Sequence, residues 1–442
     1  MVFAPASACS TAVRPRTRTS LSSYDDTTNE YTEYMSNRVT DTRVSSDKRG
    51  QAARSLSINP TTLGLGFLLL ALGLGIWRWR VESLPAPSPT PTVPPTPTSW
   101  PRARMASPEY GMQAFLWWHE DAARRDLQLI QDAGFTWVKQ HVAWREVEGI
   151  TKGHYDWYFT DRIVADAEQM GLNVLFRLDR EPVWAIASRN TTTDNGPPEN
   201  PQDFGDFCYA MADRYRGRVQ AYQVWNEPNL SREWGGWVPD PAEYVELLRA
   251  CYIGVKTADP DALVISAGLS PTGNGPPDAM PDTDYLVGMY EAGAAPYFDL
   301  LGAHAPGFLY PPEISPEEVA AKHDGHRFFC FRHVENLREI MLQYGDGDKQ
   351  VAVLEMGWTT DPVHPAYAWF AVTPEQQADY LVRAFKYAKE NWSPWIGVMT
   401  VISIADPRWT EEDEQYWWAI TEPGWPETHV RPAYEALCEM EK

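Results

Sequence analysis

From about Pro108 to Cys438 the chain alternates short apolar runs with amphipathic stretches of helical period. The runs occupy residues 111–117, 135–144, 172–179, 219–228, 262–270, 299–305, 350–358 and 395–406. Between them lie segments such as DAARRDLQLIQDAG and PEQQADYLVRAFKYAKENW, whose apolar positions recur three and four apart. A short continuous apolar run suits a strand buried on both faces, and regular alternation of such strands with helices predicts a parallel sheet. Eight βα units in one stretch predict an α/β fold, a closed (β/α)8 TIM barrel over residues 108–442. Gly134, Gly171, Gly217 and Gly345 fall where helices end, as a left-handed C′ residue would. An open doubly wound sheet would carry a Gly-rich phosphate loop after its first strand; here HEDAARR follows instead.

The pattern differs before that stretch. Residues 1–54 are rich in Ser, Thr, Arg and Asp with no sustained apolar period, and are expected to be disordered. Residues 55–77 hold no charged side chain and read TLGLGFLLLALGLGIW at their centre, which predicts one transmembrane helix. Arg78-Trp79-Arg80 follows rather than a small-residue cleavage site, which favours an uncleaved signal-anchor. Residues 78–107 then form a Pro/Thr-rich linker. Its run from Pro85 to Pro97 predicts an extended stalk of roughly 40 Å, at about 3.1 Å per residue. Lys48, Arg49 and Arg54 precede the apolar span, which places the N-terminus inside and the barrel outside the cell membrane.

Composition narrows the choice of partner. The formal net charge is −22, and residues 1–107 are net basic, so the acid excess lies wholly in the predicted barrel. A body this acidic has no footprint for nucleic acid and would repel a polyanion. Cys9, Cys208, Cys251, Cys330 and Cys438 form no CxxC pair, and buried free thiols are expected in preference to a single bridge such as Cys208–Cys251. His323, Asp324, His326 and His333 read as a solvated loop and helix rather than a metal site. No dinucleotide motif or phosphate loop appears, and no cofactor or metal is expected.

Two glutamates carry the chemistry. AYQVWNEPN ends the fourth run with Asn226-Glu227-Pro228, and QVAVLEMGW places Glu355 after the apolar Val351–Leu354. Glu is depleted from strands and from interiors, so a carboxylate at each of two strand ends calls for a reason other than folding. In a barrel both would reach the same mouth, at the C-terminal ends of the strands. A pair of carboxyls across one substrate is what glycoside hydrolysis requires.

This order, NEP on strand four and a lone Glu on strand seven, resembles the clan-A retaining glycoside hydrolases, and is most similar to families 39 and 5. VKQHVAWREVEGITKGHYDW (138–157) also resembles the second-strand region of the family-39-like members. The resemblance implies Glu227 as general acid/base, Glu355 as nucleophile, Asn226 as a ligand of the sugar 2-OH and His304 as a residue near the nucleophile. It further implies hydrolysis of β-linked oligo- or polysaccharides by double displacement, and the acidic body favours neutral ones among them. The alternatives are a catalytically silent carbohydrate-binding barrel and a transglycosylase. Lys139 and His141 share one side of strand two, and Arg177 and Asp179 one side of strand three; each could bind hydroxyls, orient a glutamate or fill the barrel end. Trp117, Trp144, Trp184, Trp234, Trp237, Trp358 and Trp409 fall at or past strand ends. Of these, Trp144, Trp184, Trp358 and Trp409 are taken as candidate sugar-facing surfaces. Many clan members place a Trp near the end of strand eight, where this chain reads Val401-Ile402-Ser403-Ile404.

Overall fold

The computed structural model describes residues 104–186 and 191–442. The expected disordered segment 1–54, the transmembrane helix 55–77 and the linker as far as residue 103 lie outside the described residues. Among the described residues, no helix is long and apolar enough to cross a membrane.

Eight parallel strands close into a barrel in chain order. They are β1 Glu109–Gln113, β2 Trp137–Ala143, β3 Asn173–Asp179, β4 Ala221–Val224, β5 Leu263–Ile265, β6 Leu300–Pro306, β7 Gln350–Gly357 and β8 Ile396–Val401. All eight lie within or across the expected runs. A helix follows each in turn: α1 Glu120–Asp132, α2 Tyr158–Gln169, α3 Pro201–Arg214, α4 Pro241–Ala258, α5 Asp282–Glu291, α6 Val334–Gln343, α7 Pro374–Asn391 and α8 Pro432–Glu439. The helices start where their caps require. Asp240 accepts from Ala242 and Glu243 N–H at the head of α4, and Thr373 forms a capping box with Gln376 at the head of α7. All four glycines expected at helix ends have positive φ.

Period-two alternation sends one set of strand residues inward and the other against the helices. At the barrel bottom the inward set is apolar: Trp137, Leu175, Ala221, Leu263, Leu300, Ala352 and Val398. Met105, counted with the linker on composition, is buried with them, and its backbone exchanges two hydrogen bonds with the Gln350 side chain. Further along the same strands the inward set turns polar. Lys139, His141, Arg177 and His304 follow Trp137, Leu175 and Leu300 at two-residue intervals, so one alternation builds both the plug and the floor of the mouth.

Cys208 and Cys251 are joined by a disulfide, contrary to the expectation of free thiols. The cause lies in two glycines at the α3–α4 contact. A Cβ on Gly205 would sit 2.8 Å from Ala250 O, and one on Gly254 would sit 2.4 Å from Gly205 O. Only glycine permits this approach, which brings the two cysteine Cα atoms to 5.2 Å.

Candidate active site

A cleft of about 1260 Å³ opens at the C-terminal ends of the strands, and both Glu227 and Glu355 line it. Simple alternation does not bring them there. On β7, Ala352 and Leu354 face the barrel interior, so Glu355 would point to the helices. The pairing with β6 slips between Ala303 and His304, leaving Leu354 unmatched and setting Glu355 opposite His304. This bulge turns Glu355 inward. After β4 the device is different. Trp225 and Glu227 both adopt left-handed backbone, with φ of 72° and 37°. Two such residues cost about 1–3 kcal/mol each, and strain of this kind collects at functional sites. It sends Trp225 into the helix layer, where its indole donates to Glu233 O, and leaves Asn226 and Glu227 facing the cleft.

His304 joins the two carboxylates. Its Nδ1 lies 2.9 Å from Glu227 Oε1 and 3.7 Å from Glu355 Oε2. On its far side Glu227 accepts from Arg232 at 3.1 Å. Glu355 Oε1 takes the Lys139 ammonium at 3.0 Å and has Arg177 at 3.6 Å. Arg177 in turn forms an ion pair with Asp179 at 3.0 Å, and Asp179 also holds His141. The chain of contacts thus runs from β2 and β3 through both glutamates to the loop after β4.

The electrostatics of the two differ. Burial raises the Glu355 carboxyl, but the Lys139 ammonium, the largest opposing charge, and the Arg177 guanidinium beside it hold the group below its ordinary value. Lys139 is itself driven down to about 8, chiefly by burial. Burial takes His141 down to about 4, so its ring is neutral at pH 7. Burial also raises Glu227, but a charged His304, aided by Arg232 and Ser270, would bring it down to about 2. The surroundings of His304 argue against that charge. Its Nε2 is buried with no hydrogen-bond partner, and Gly268 closes over it so tightly that a Cβ there would lie 2.2 Å away. A proton on Nε2 would be a buried donor without an acceptor. The neutral Nδ1–H ring fits, and it removes the main influence opposing burial at Glu227.

The other predicted residues separate into two groups. Asn226, His141, Arg177, His304 and Trp409 line the cleft, and Asn226 Oδ1 is buried there with no partner. Lys139 and Asp179 are fully buried behind it and hold Glu355, Arg177 and His141 rather than facing open space. The sugar-facing expectation is corrected for three tryptophans. Trp144 is wholly buried between Trp184, Phe204 and Phe207 and donates to Glu148. Trp184 packs on it from outside the cleft and donates to Glu148 O. Trp358 is wholly buried and donates to Tyr310 O. At the end of β8, Ile402 and Ser403 line the cleft, so no aromatic ring stands there.

Several lining residues had no signal in the run pattern. Trp118, Phe308, Trp369, Phe370 and Trp418 come from loops after β1, β6, β7 and β8, and Arg232 from the loop after β4. Arg232 alone was within reach of sequence, since it follows Glu227 by five residues in NEPNLSR. Among the described residues no group of three His, Cys, Asp or Glu could hold a metal. His333 instead pairs with Asp282 at 2.6 Å, and His323 with Tyr310.

A glycoside hydrolase family 42 model, described as beta-galactosidase, matches residues 114–228, from the end of β1 through the Asn226-Glu227-Pro228 motif. No curated protein matches the chain. Among solved structures, a family 39 glycoside hydrolase from Bacteroides cellulosilyticus superposes with a TM-score of 0.57 at 20% identity over 75% of this chain. The match spans 63% of that protein's length. A glucosidase from Croceicoccus marinus gives 0.53 at 14% identity, covering 76% of this chain and 67% of its own. The GH5_18 structure from Streptomyces cattleya gives 0.51 at 14% identity, covering 76% and 80%. The matched family and these neighbours are glycoside hydrolases, and the chain carries the (β/α)8 barrel that its eight alternating apolar runs and helices predict.

Proposed function

We propose that the protein is a retaining glycosidase that hydrolyses β-linked, neutral glycans. The observation that carries the reading is the shared His304 nitrogen. One oxygen of each carboxylate lies near it, at 2.9 and 3.7 Å, which caps their separation near the roughly 6.5 Å at which an inverting pair begins and supports the shorter spacing of a retaining pair. Glu355, held ionised by Lys139 and Arg177, attacks the anomeric carbon while Glu227 gives its proton to the leaving oxygen. The ester that forms neutralises Glu355. His304 Nδ1–H and Arg232 then donate to the new Glu227 carboxylate, which takes a proton from water as that water cleaves the ester.

Neutral substrates fit the charge pairing in the cleft. Arg145 and Arg180 meet Asp194, Arg408 meets Asp406, and Arg177 meets Asp179. The same proposal places the barrel at the outer face of the cell membrane, with the uncharged apolar sequence 55–77 as its anchor and the Pro-rich sequence after it as a spacer. The Cys208–Cys251 disulfide supports an oxidising compartment.

The test is product stereochemistry and azide rescue on a panel of aryl β-glycosides. Proton NMR of the first product is expected to give the β-anomer. Glu355→Ala abolishes turnover. Glu227→Ala accumulates the ester from activated substrates, and added azide releases it as the β-glycosyl azide. A first-formed α-anomer, or near-wild-type rates in both variants, would overturn the assignment. Glycan binding without turnover would instead identify a silent binding barrel, and sugar-acceptor products a transglycosylase.

A further inference from the structure

We infer that a second recess, beyond Arg232, is a distal subsite for the leaving-group end of the glycan, so that the site takes a chain of several sugars rather than one terminal unit. The recess has a volume of about 440 Å³ and adjoins the main cleft, with Arg232 and Asn274 lining both. That volume lies within the roughly 300–1,000 Å³ of ordinary small-molecule sites. Its rim carries hydroxyls, an amide and a carboxylate, from Thr192, Thr193, Ser231, Asn274 and Asp278. These are groups that exchange hydrogen bonds with sugar hydroxyls.

The direction comes from the order of contacts through the site. Glu227 turns Oε1 toward His304, which also faces Glu355, and Oε2 toward Arg232. Arg232, which Glu227 holds, also lines the recess, so the recess adjoins the Glu227 side of the contact chain rather than the Glu355 side. On the functional reading above, Glu355 meets the anomeric carbon and Glu227 the leaving oxygen, so continuing past Glu227 follows the leaving group. The inference rests on that reading for its direction only; the recess as a glycan-binding surface stands apart from turnover.

The experiment measures binding, so that it does not depend on catalysis. Full-length Glu355→Gln protein is titrated calorimetrically with β-1,4-linked gluco-, manno- and galacto-oligosaccharides of two to six units. In the series that binds, affinity is expected to rise about tenfold as the chain grows long enough to enter the recess, the size of two or three added hydrogen bonds. Thr192→Ala combined with Asp278→Ala removes that gain and leaves disaccharide affinity unchanged. Both side chains are exposed, and the Thr192 N–H bond to Gly235 O is kept. Affinity flat with length, a gain that survives the double variant, or no binding in any series would each overturn the proposal. A length gain lost in the double variant, with no hydrolysis by the wild type, would uphold the subsite and sink only the glycosidase reading.

Discussion

Lys139 sits fully inside the barrel with its ammonium 3.0 Å from both Glu355 Oε1 and Leu354 O. Its charge is the largest influence that keeps Glu355 below the ordinary carboxylate value against the push of burial. The sign of the consequence follows directly. A nucleophile must be ionised, so activity is lost as pH falls through the folded value of Glu355, and that value lies below 4.5. Lys139→Met removes the charge at similar length and lets burial act, so the acid limb of kcat/KM is expected to move to higher pH. A pH–rate profile on one aryl β-glycoside reads this, and an unmoved acid limb would exclude Lys139 from holding the nucleophile ionised. The candidate tryptophans teach the complementary lesson at this scale. Trp144 and Trp409 both lie beyond strand ends, yet one is wholly buried among Phe204, Phe207 and Trp184 while the other meets Phe115 at the cleft. Nothing in the local sequence distinguishes them, because the side each faces is set by neighbours distant in the chain.

At the scale of elements, eight strands and eight following helices were legible because a buried parallel strand and an amphipathic helix write different periods into the chain. What stayed hidden was the facing of residues where the period breaks. The slip opposite Leu354 and the left-handed Trp225 and Glu227 decide that the two glutamates meet, and neither leaves a mark on the hydrophobic pattern. The resemblance of the two motifs identified the pair; alternation alone would have turned Glu355 outward. The α3–α4 contact is a second case. Gly205 and Gly254 allow the approach that joins Cys208 to Cys251, and the wide spacing of the cysteines concealed it. The bridge closes a sequence separation of 43 residues, and losing a native disulfide typically costs about 2–5 kcal/mol. Cys208→Ser with Cys251→Ser is expected to lose about that much unfolding free energy and so to unfold at a lower denaturant concentration. The same midpoint in variant and wild type would show that the bridge adds nothing to the fold.

For the molecule as a whole the question is how an enzyme with a formal net charge of −22 selects its substrate. A field of that sign extends about 30 Å at 0.01 M salt and about 8 Å at 0.15 M, so it acts on approaching polyanions well beyond the cleft. Inside the cleft the charges largely cancel in pairs: Arg145 with Asp194 at 2.7 Å, Arg408 with Asp406 at 2.7 Å and Arg177 with Asp179 at 3.0 Å. A neutral glycan feels neither the outer field nor a bare charge within, so its encounter rate is indifferent to screening. An acidic glycan must cross the repulsive field and then finds the arginines already occupied. The expected outcome is a kcat/KM for a neutral β-glycan that changes by less than about twofold between these two salt concentrations. Polygalacturonate, added as a competitor, should inhibit weakly and more strongly as salt rises, because screening weakens the repulsion. Tight inhibition by polygalacturonate at low salt that fades as salt is added would mean attraction, not repulsion, at the mouth. That result would overturn the neutral substrate class, since it requires arginines free to meet carboxylates where the structure has them paired with Asp and Glu.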